Sequence, residues 1–141
     1  MLKTVIIADD LTGANDTGAI LAQDGLKVGT ILITSDMDKF KDFDALCIST
    51  NSRGMLLTDA YEKVKNAANL FTNKKGLFIS KRIDSTLRGN VGSEIDSIIE
   101  SLGNNTIVIV VASFPSSGRV CIGDYLLVNG VPLENTEVAK E

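Results

Sequence analysis

Histidine occurs nowhere in the 141 residues. Its absence removes the commonest general base and metal ligand at neutral pH, and with it every Ser-His-Asp and Cys-His scheme. Cysteine occurs only twice, at Cys47 and Cys121, each inside an apolar stretch. That set cannot assemble a zinc site. It predicts two buried, reduced thiols in a cytoplasmic protein rather than a disulfide. No run approaches the ~18 apolar residues of a membrane helix, and the chain opens on a strand pattern instead of a signal peptide. Basic residues are also scarce: 14 against 18 acidic ones, for a net charge of -4. This balance argues against nucleic acid or an anionic membrane as the main partner. An anion would have to be held by a local cluster. Neither G-x-x-x-x-G-K-[ST] nor G-x-G-x-x-G is present, and Gly89-Asn90-Val91-Gly92 is too short to substitute. No residue is assigned to a metal, although magnesium held by carboxylates stays open.

What is present reads as one domain spanning 1–141, with 44% hydrophobic and 23% charged residues. Five continuous apolar runs have the pattern of buried parallel strands: 4–8, 28–33, 45–50, 76–82 and 106–112. Helical patterns lie between most of them. The first covers about 13–23 and is rich in small residues (Ala14, Gly18, Ala19, Ala22) suited to close packing on a sheet. The second has Thr58 as a candidate cap and a face of Tyr61, Val64, Ala68 and Phe71. The third carries a stripe of Val91, Ile95, Ile98 and Leu102. The expectation is an α/β fold: a doubly wound, mainly parallel, Rossmann-like sheet with helices on both faces. Near the C-terminus Asn129-Gly130 signals a small β-hairpin excursion.

The polar residues fall in four clusters, one after each of four strand patterns. They are "DDLTGAND" after the first, "TNSRG" after the third, "KRIDSTLRGN" after the fourth and "SFPSSGR" after the fifth. Ligands of open parallel sheets bind beyond the carboxyl ends of the strands, so the four clusters converge on one site. Taken singly, each has a plain reading. Asp9 and Asp10 could end a strand, with Thr12 capping a helix, and Ser52-Arg53-Gly54 could be a solvated turn. Lys81, Arg82 and Arg88 could be a charged face, Asn90 a cap, and Gly89 and Gly92 turn residues. Adjacent carboxylates repel, however, and persist where something engages them. Asp84, Ser85 and Thr86 sit among bases just before a helix N-terminus, where backbone N–H groups attract anions and arginine offers a planar fork.

"IIADDLTGANDTGA", "KRIDSTLRGNVGSE" and "FPSSGRVCIGDYLLVNGVPLENTE" resemble the four-carbon acid sugar kinases, in order and across the whole chain. Ser113, where that family often has alanine, is a minor departure. The resemblance implies the sugar-binding N-terminal domain of a two-domain enzyme that phosphorylates threonate, erythronate or 3-oxo-tetronate. ATP and Mg2+ would be bound mainly by a separate C-terminal nucleotide-binding domain outside residues 1–141. It implies a substrate-binding set of Asp9, Asp10, Ser52, Arg53, Lys81, Asp84, Ser85, Thr86, Arg88 and Gly89. Arg88, Lys81 and Arg53 suit the sugar-acid carboxylate; Asp10, Asp84, Ser85 and Thr86 suit its hydroxyls. Asp10 is the candidate catalytic proton acceptor. A stand-alone sugar-acid binding or regulatory module is the alternative, and homo-oligomerisation stays open. An aspartyl phosphatase would need a second aspartate two positions after its nucleophile, but Leu11 and Thr12 stand there.

Overall fold

The computed structural model describes every residue except 1, 33–36, 75, 104 and 141. Its body is a four-stranded, wholly parallel sheet of β1 (Thr4–Ala8), β2 (Val28–Ile31), β3 (Ala45–Ser49) and β4 (Phe78–Arg82), in the order β2-β3-β1-β4. Position 33, the end of the predicted second strand, lies outside the described residues. The continuous apolar runs follow from burial on both faces. Val5 and Ile7 of β1 join Leu46 and Ile48 of β3 on one side, while Ile6, Ala8 and Cys47 face the other. Successive strand residues point to opposite faces, so covering both leaves no polar alternation to read.

The helices divide between those faces. α1 (Leu11–Gln23) packs alone against β1 and β3, with Ala14 fully buried. A β-carbon at Gly18 would lie 3.3 Å from Cys47 Sγ, so the small residues of α1 are what let it sit close. α2 (Leu57–Asn69) and α3 (Val91–Leu102) cover the opposite face and pack on each other. Val64, Ala68 and Phe71 are buried as their spacing predicts. Tyr61 instead donates to Glu100 at the surface, beside Lys65, which reaches the same carboxylate at 2.6 Å.

Four local expectations are corrected. Asp10, not Thr12, caps α1, accepting from the Gly13 backbone N–H at 2.8 Å. Leu56 precedes α2 without a side-chain cap, and Thr58 lies inside the helix. Cys47 is buried and free, its thiol pushed up to about 11 by desolvation, but Cys121 is exposed. The fourth correction is the largest. Among the described residues the run 106–112 has no strand partner: it continues without helix, turn or bend, leaving Ile107 89% and Ile109 84% exposed. An apolar pattern records that a segment needs cover, not what covers it.

The chain then forms an antiparallel three-stranded arm, β5 (Arg119–Ile122), β6 (Tyr125–Val128) and β7 (Val131–Pro132). Asn129 and Gly130 both take positive φ (51° and 82°) at the tight β6–β7 turn, the geometry that makes Asn-Gly a hairpin signal. Among the described residues no helix is long and apolar enough to cross a membrane.

Phe71 is the largest fully buried side chain, wedged at the end of α2. Phe71→Ala should lower stability by about 3–5 kcal/mol, read as a shifted urea midpoint with unchanged slope.

Candidate functional site

The carboxyl ends of β3, β1 and β4 lie side by side, and the segment after each bends toward the others. The loop after β3 is laid along the end of β1: Thr50 N donates to Ala8 O at 2.9 Å, and Ser52 N to Asp9 O at 2.9 Å. Asn51 makes this possible by taking φ 48°, a left-handed conformation asparagine tolerates better than most residues.

Arg53 is thereby delivered into a cluster of acids. Its Nε donates to Asp9 Oδ2 at 2.7 Å and its Nη2 to Asp9 Oδ1 at 3.2 Å. Nη1 lies 2.9 Å from Asp10 Oδ2, and Nη2 lies 3.6 Å from Asp84 Oδ1. One guanidinium thus links three carboxylates from two strands. The Asp9 hydrogen bonds, with smaller contributions from Asp10 and Asp84, outweigh desolvation and raise its pKa further.

Asp84 is gripped from its own loop as well. Arg88 donates through Nε (3.0 Å) and Nη2 (3.1 Å) in a two-pronged fork, and the Thr86 N–H and hydroxyl both reach Oδ2. Burial pushes the Asp84 carboxyl up, but these hydrogen bonds prevail and hold it well below the usual carboxylate range. Gly89 takes φ 90° and passes so close to Arg53 that a β-carbon would sit 3.2–3.4 Å from it. Asn90 precedes α3 but does not cap it through its side chain. Its Nδ2 donates to the Met55 carbonyl at 3.0 Å, tying the β3 and β4 loops together.

Beneath this layer lies a second, buried one. Lys81 Nζ pairs with Glu94 Oε2 at 2.7 Å and donates to the Arg82 carbonyl at 2.8 Å. Glu94 Oε1 accepts from Ser52 Oγ at 2.6 Å; Ser52 Oγ lies 2.8 Å from Thr50 Oγ1, which donates to the Ala8 carbonyl. Glu94 was not singled out from the sequence. The signal was available: an acid in the first turn of α3, on the same face as buried Ser97 and Ile98. Of the residues singled out, Asp9, Asp10, Arg53, Asp84, Thr86 and Arg88 meet directly, with Gly89 against Arg53. Ser52 and Lys81 lie underneath in the buried network, and Ser85 is half-buried beside Asp84. The cluster around Ser117 is not brought in. Its bonds stay in the arm, where Arg119 donates to the Ser117 carbonyl and Ser117 to the Phe114 carbonyl.

What the three loops assemble is a polar cluster at the sheet's carboxyl edge, with forked cations and carboxylates side by side. Such a set suits a small polyhydroxylated acid. Among the described residues no group of three or more His, Cys, Asp or Glu is placed to hold a metal ion.

Comparison with known proteins agrees on the class. Residues 4–141 match the family model described as "Sugar-binding N-terminal domain". The chain belongs to that family. It is 50% identical to D-erythronate kinase of Heliobacterium modesticaldum across its full length, covering 33% of that protein. It is 34% identical to D-threonate kinase of Salmonella typhimurium over 99% of its length, and 34% identical to 3-oxo-tetronate kinase of Brucella melitensis over 96%. The chain spans about a third of the length of these curated relatives. Among solved structures, a Bordetella bronchiseptica domain of unknown function, with bound citrate and as a domain-swapped dimer, superposes with a TM-score of 0.92. That match has 27% identity and covers 99% of this chain and 37% of that one.

The depressed Asp84 carboxyl makes a stability prediction. A group whose pKa is lowered by folding stabilises the fold fully above its unfolded value of about 3.9, and that contribution is lost as pH falls below it. The stability gap between wild type and Asp84→Asn should therefore be constant above about pH 5 and close progressively in acid. Denaturant titrations across pH check this, and a gap unchanged in strong acid contradicts it.

Proposed function

We propose that this chain is the sugar-acid-binding part of an ATP-dependent four-carbon acid sugar kinase. The observation that carries the reading is the convergence of three strand-end segments on Arg53, which sets carboxylates and guanidiniums side by side at one sheet edge. The kinases named among the relatives give the substrate class: erythronate, threonate or 3-oxo-tetronate. Such a molecule is a carboxylate followed by hydroxyl or keto oxygens. Its carboxylate goes to Arg88, the most accessible of the cluster's cations at 41% exposure against 26% for Arg53 and 9% for Lys81. Its hydroxyls go to Asp10, Asp84, Ser85 and Thr86. Asp9, Arg53 and Gly89 shape the wall, and Ser52 and Lys81 act through the buried layer that fixes the loops.

Asp10 is the proposed acceptor of the attacking hydroxyl's proton. Its side chain is 24% exposed, against 4% for Asp9 and 9% for Asp84, so it is the acid a substrate reaches most readily. Its hydrogen bond to Gly13 fixes one oxygen and presents the other toward Arg53. A residue in that position orients the nucleophile and takes its proton as the phosphoryl group arrives.

ATP and Mg2+ belong to the whole enzyme in this reading. The chain has no glycine-rich phosphate loop, and among the described residues no group of three or more His, Cys, Asp or Glu is placed to hold a metal ion. The nucleotide-binding C-terminal domain supplies them. The domain-swapped dimer of the Bordetella relative supports a homo-oligomer, and the two unpaired cysteines suit a cytoplasmic protein.

Two measurements test the proposal. Charge-assisted hydrogen bonds contribute roughly 1.5–3 kcal/mol, so Arg88→Ala should weaken D-erythronate or D-threonate binding about 10- to 150-fold by calorimetry. Unchanged affinity removes Arg88 from the site. In the second, the isolated chain should bind the sugar acid yet release no ADP from ATP in a coupled assay, because transfer needs both reactants held about 3 Å apart with water excluded. Sugar-acid-dependent ADP release by this chain alone, in a preparation free of any full-length kinase, contradicts the two-domain reading.

A further inference from the structure

A cavity of about 440 Å³ lies beside the β4 edge of the sheet. One wall is β4, paired with β1 on its inner side and unpaired in the sheet on its outer side. Another wall is the run 106–111, which among the described residues also has no ladder partner. The floor is α3, through Ile95, Ile98, Ile99 and Leu102. This accounts for a detail of α3: Leu102, on the predicted apolar stripe, is 37% exposed because it faces this lane rather than the sheet.

Three features fit one kind of occupant. Both β4 and 106–111 lack a strand partner on this side among the described residues, so an inserted strand could pair with each, as in β-strand addition. The floor is aliphatic, so every second side chain of that strand can be apolar. The 106–112 run has the unbroken apolar pattern of a strand covered on both faces, yet Ile107, Ile109 and Val111 are 89%, 84% and 68% exposed. A straight apolar segment this exposed, beside an open sheet edge, lacks its neighbour.

We infer that the lane takes one extended strand from polypeptide lying beyond residue 141 in the full-length protein, hydrogen-bonded to β4 on one side and to 106–111 on the other. This rests on the proposal that the chain is one part of a longer kinase. The occupant follows from two observations. The curated relatives carry about twice as much further chain as the part matched here. Residues 1–141 of a second copy fit poorly. Among the described residues, the straight unpaired apolar run such a copy could offer is its own 106–111, already a wall of its own lane. The lane ends at Ser80, Lys81 and Ile83, and Lys81 is the partner of buried Glu94. The inserted strand therefore adjoins the layer that fixes the substrate loops, so docking of the rest of the enzyme stiffens the sugar-acid site from beneath.

The test uses a chimera in which this chain replaces the matched third of Heliobacterium modesticaldum D-erythronate kinase, with Ile109 exchanged for the photo-crosslinker benzoylphenylalanine. Irradiation and peptide mass spectrometry should place the cross-link on a segment beyond residue 141, in cis or in trans. A cross-link to residues 1–141 of a second copy overturns the inference. Hydrogen exchange gives an independent readout without the substitution. Amides of 106–111, and those of β4 that do not bond β1, should exchange at least about 100-fold more slowly in the chimera than in the 141-residue chain, and equal rates overturn it. Calorimetry with D-erythronate on the chimera keeps the two readings apart. Lost sugar-acid binding with the cross-link intact sinks the proposed substrate, and retained binding with the cross-link absent sinks the inserted strand.

Discussion

Three carboxylates cannot share the end of a parallel sheet without a cation between them, and Arg53 is that cation. Asp9 and Asp10 leave β1 together, and Asp84 leaves the neighbouring β4, so their proximity is set by strand pairing. Only a planar, multi-donor group can face all three, and arginine has five N–H donors where lysine has three. The surrounding backbone is arranged for that placement. Asn51 takes a left-handed conformation that turns the β3 loop onto β1, and Gly89 leaves room for Arg53 to pass.

The buried layer beneath solves a different problem. Lys81 and Glu94 are almost wholly removed from water, which is costly unless their polar atoms are engaged. Glu94 receives both an ammonium and the Ser52 hydroxyl, and Lys81 also donates to a carbonyl. The Thr50–Ser52–Glu94–Lys81 chain joins β1, β3, β4 and α3 below the acid–arginine cluster. Apolar residues could fill that volume at similar stability, but they could not fix the relative position of three loops with the directionality of short hydrogen bonds. In the proposed reading the upper layer meets ligand, and the lower layer holds the upper one in place.

The two edges of the body are unequal. Toward β2 the sheet also ends on an edge strand, but α1 packs across β1, β2 and β3 on one face and the fully buried β3 lies next inward. Toward β4 the core is open, and its lane, the 106–112 run and the arm together expose much of the chain's aliphatic surface. A strand pattern with no pairing partner among the described residues, next to an unpaired edge, is a local conflict between sequence and structure that one additional strand would remove.

The parallel α/β body was legible because both-face burial writes itself as unbroken apolar runs, and the helices between them as 3.6-residue stripes. The hairpin at Asn129-Gly130 was legible because few residue pairs accept positive φ twice in succession. Convergence of the β1, β3 and β4 loops was legible too, since parallel strands carry their carboxyl ends to one edge. Which side chain meets which was not. That Arg53 rather than Lys81 faces Asp9 and Asp10, that Lys81 turns inward to Glu94, and that the loop around Ser117 stays with the arm are decided by register and loop path. Local sequence does not encode these. The fate of 106–112 was hidden for the same reason: its residues determine that it needs cover, and only the tertiary structure decides which surface provides it.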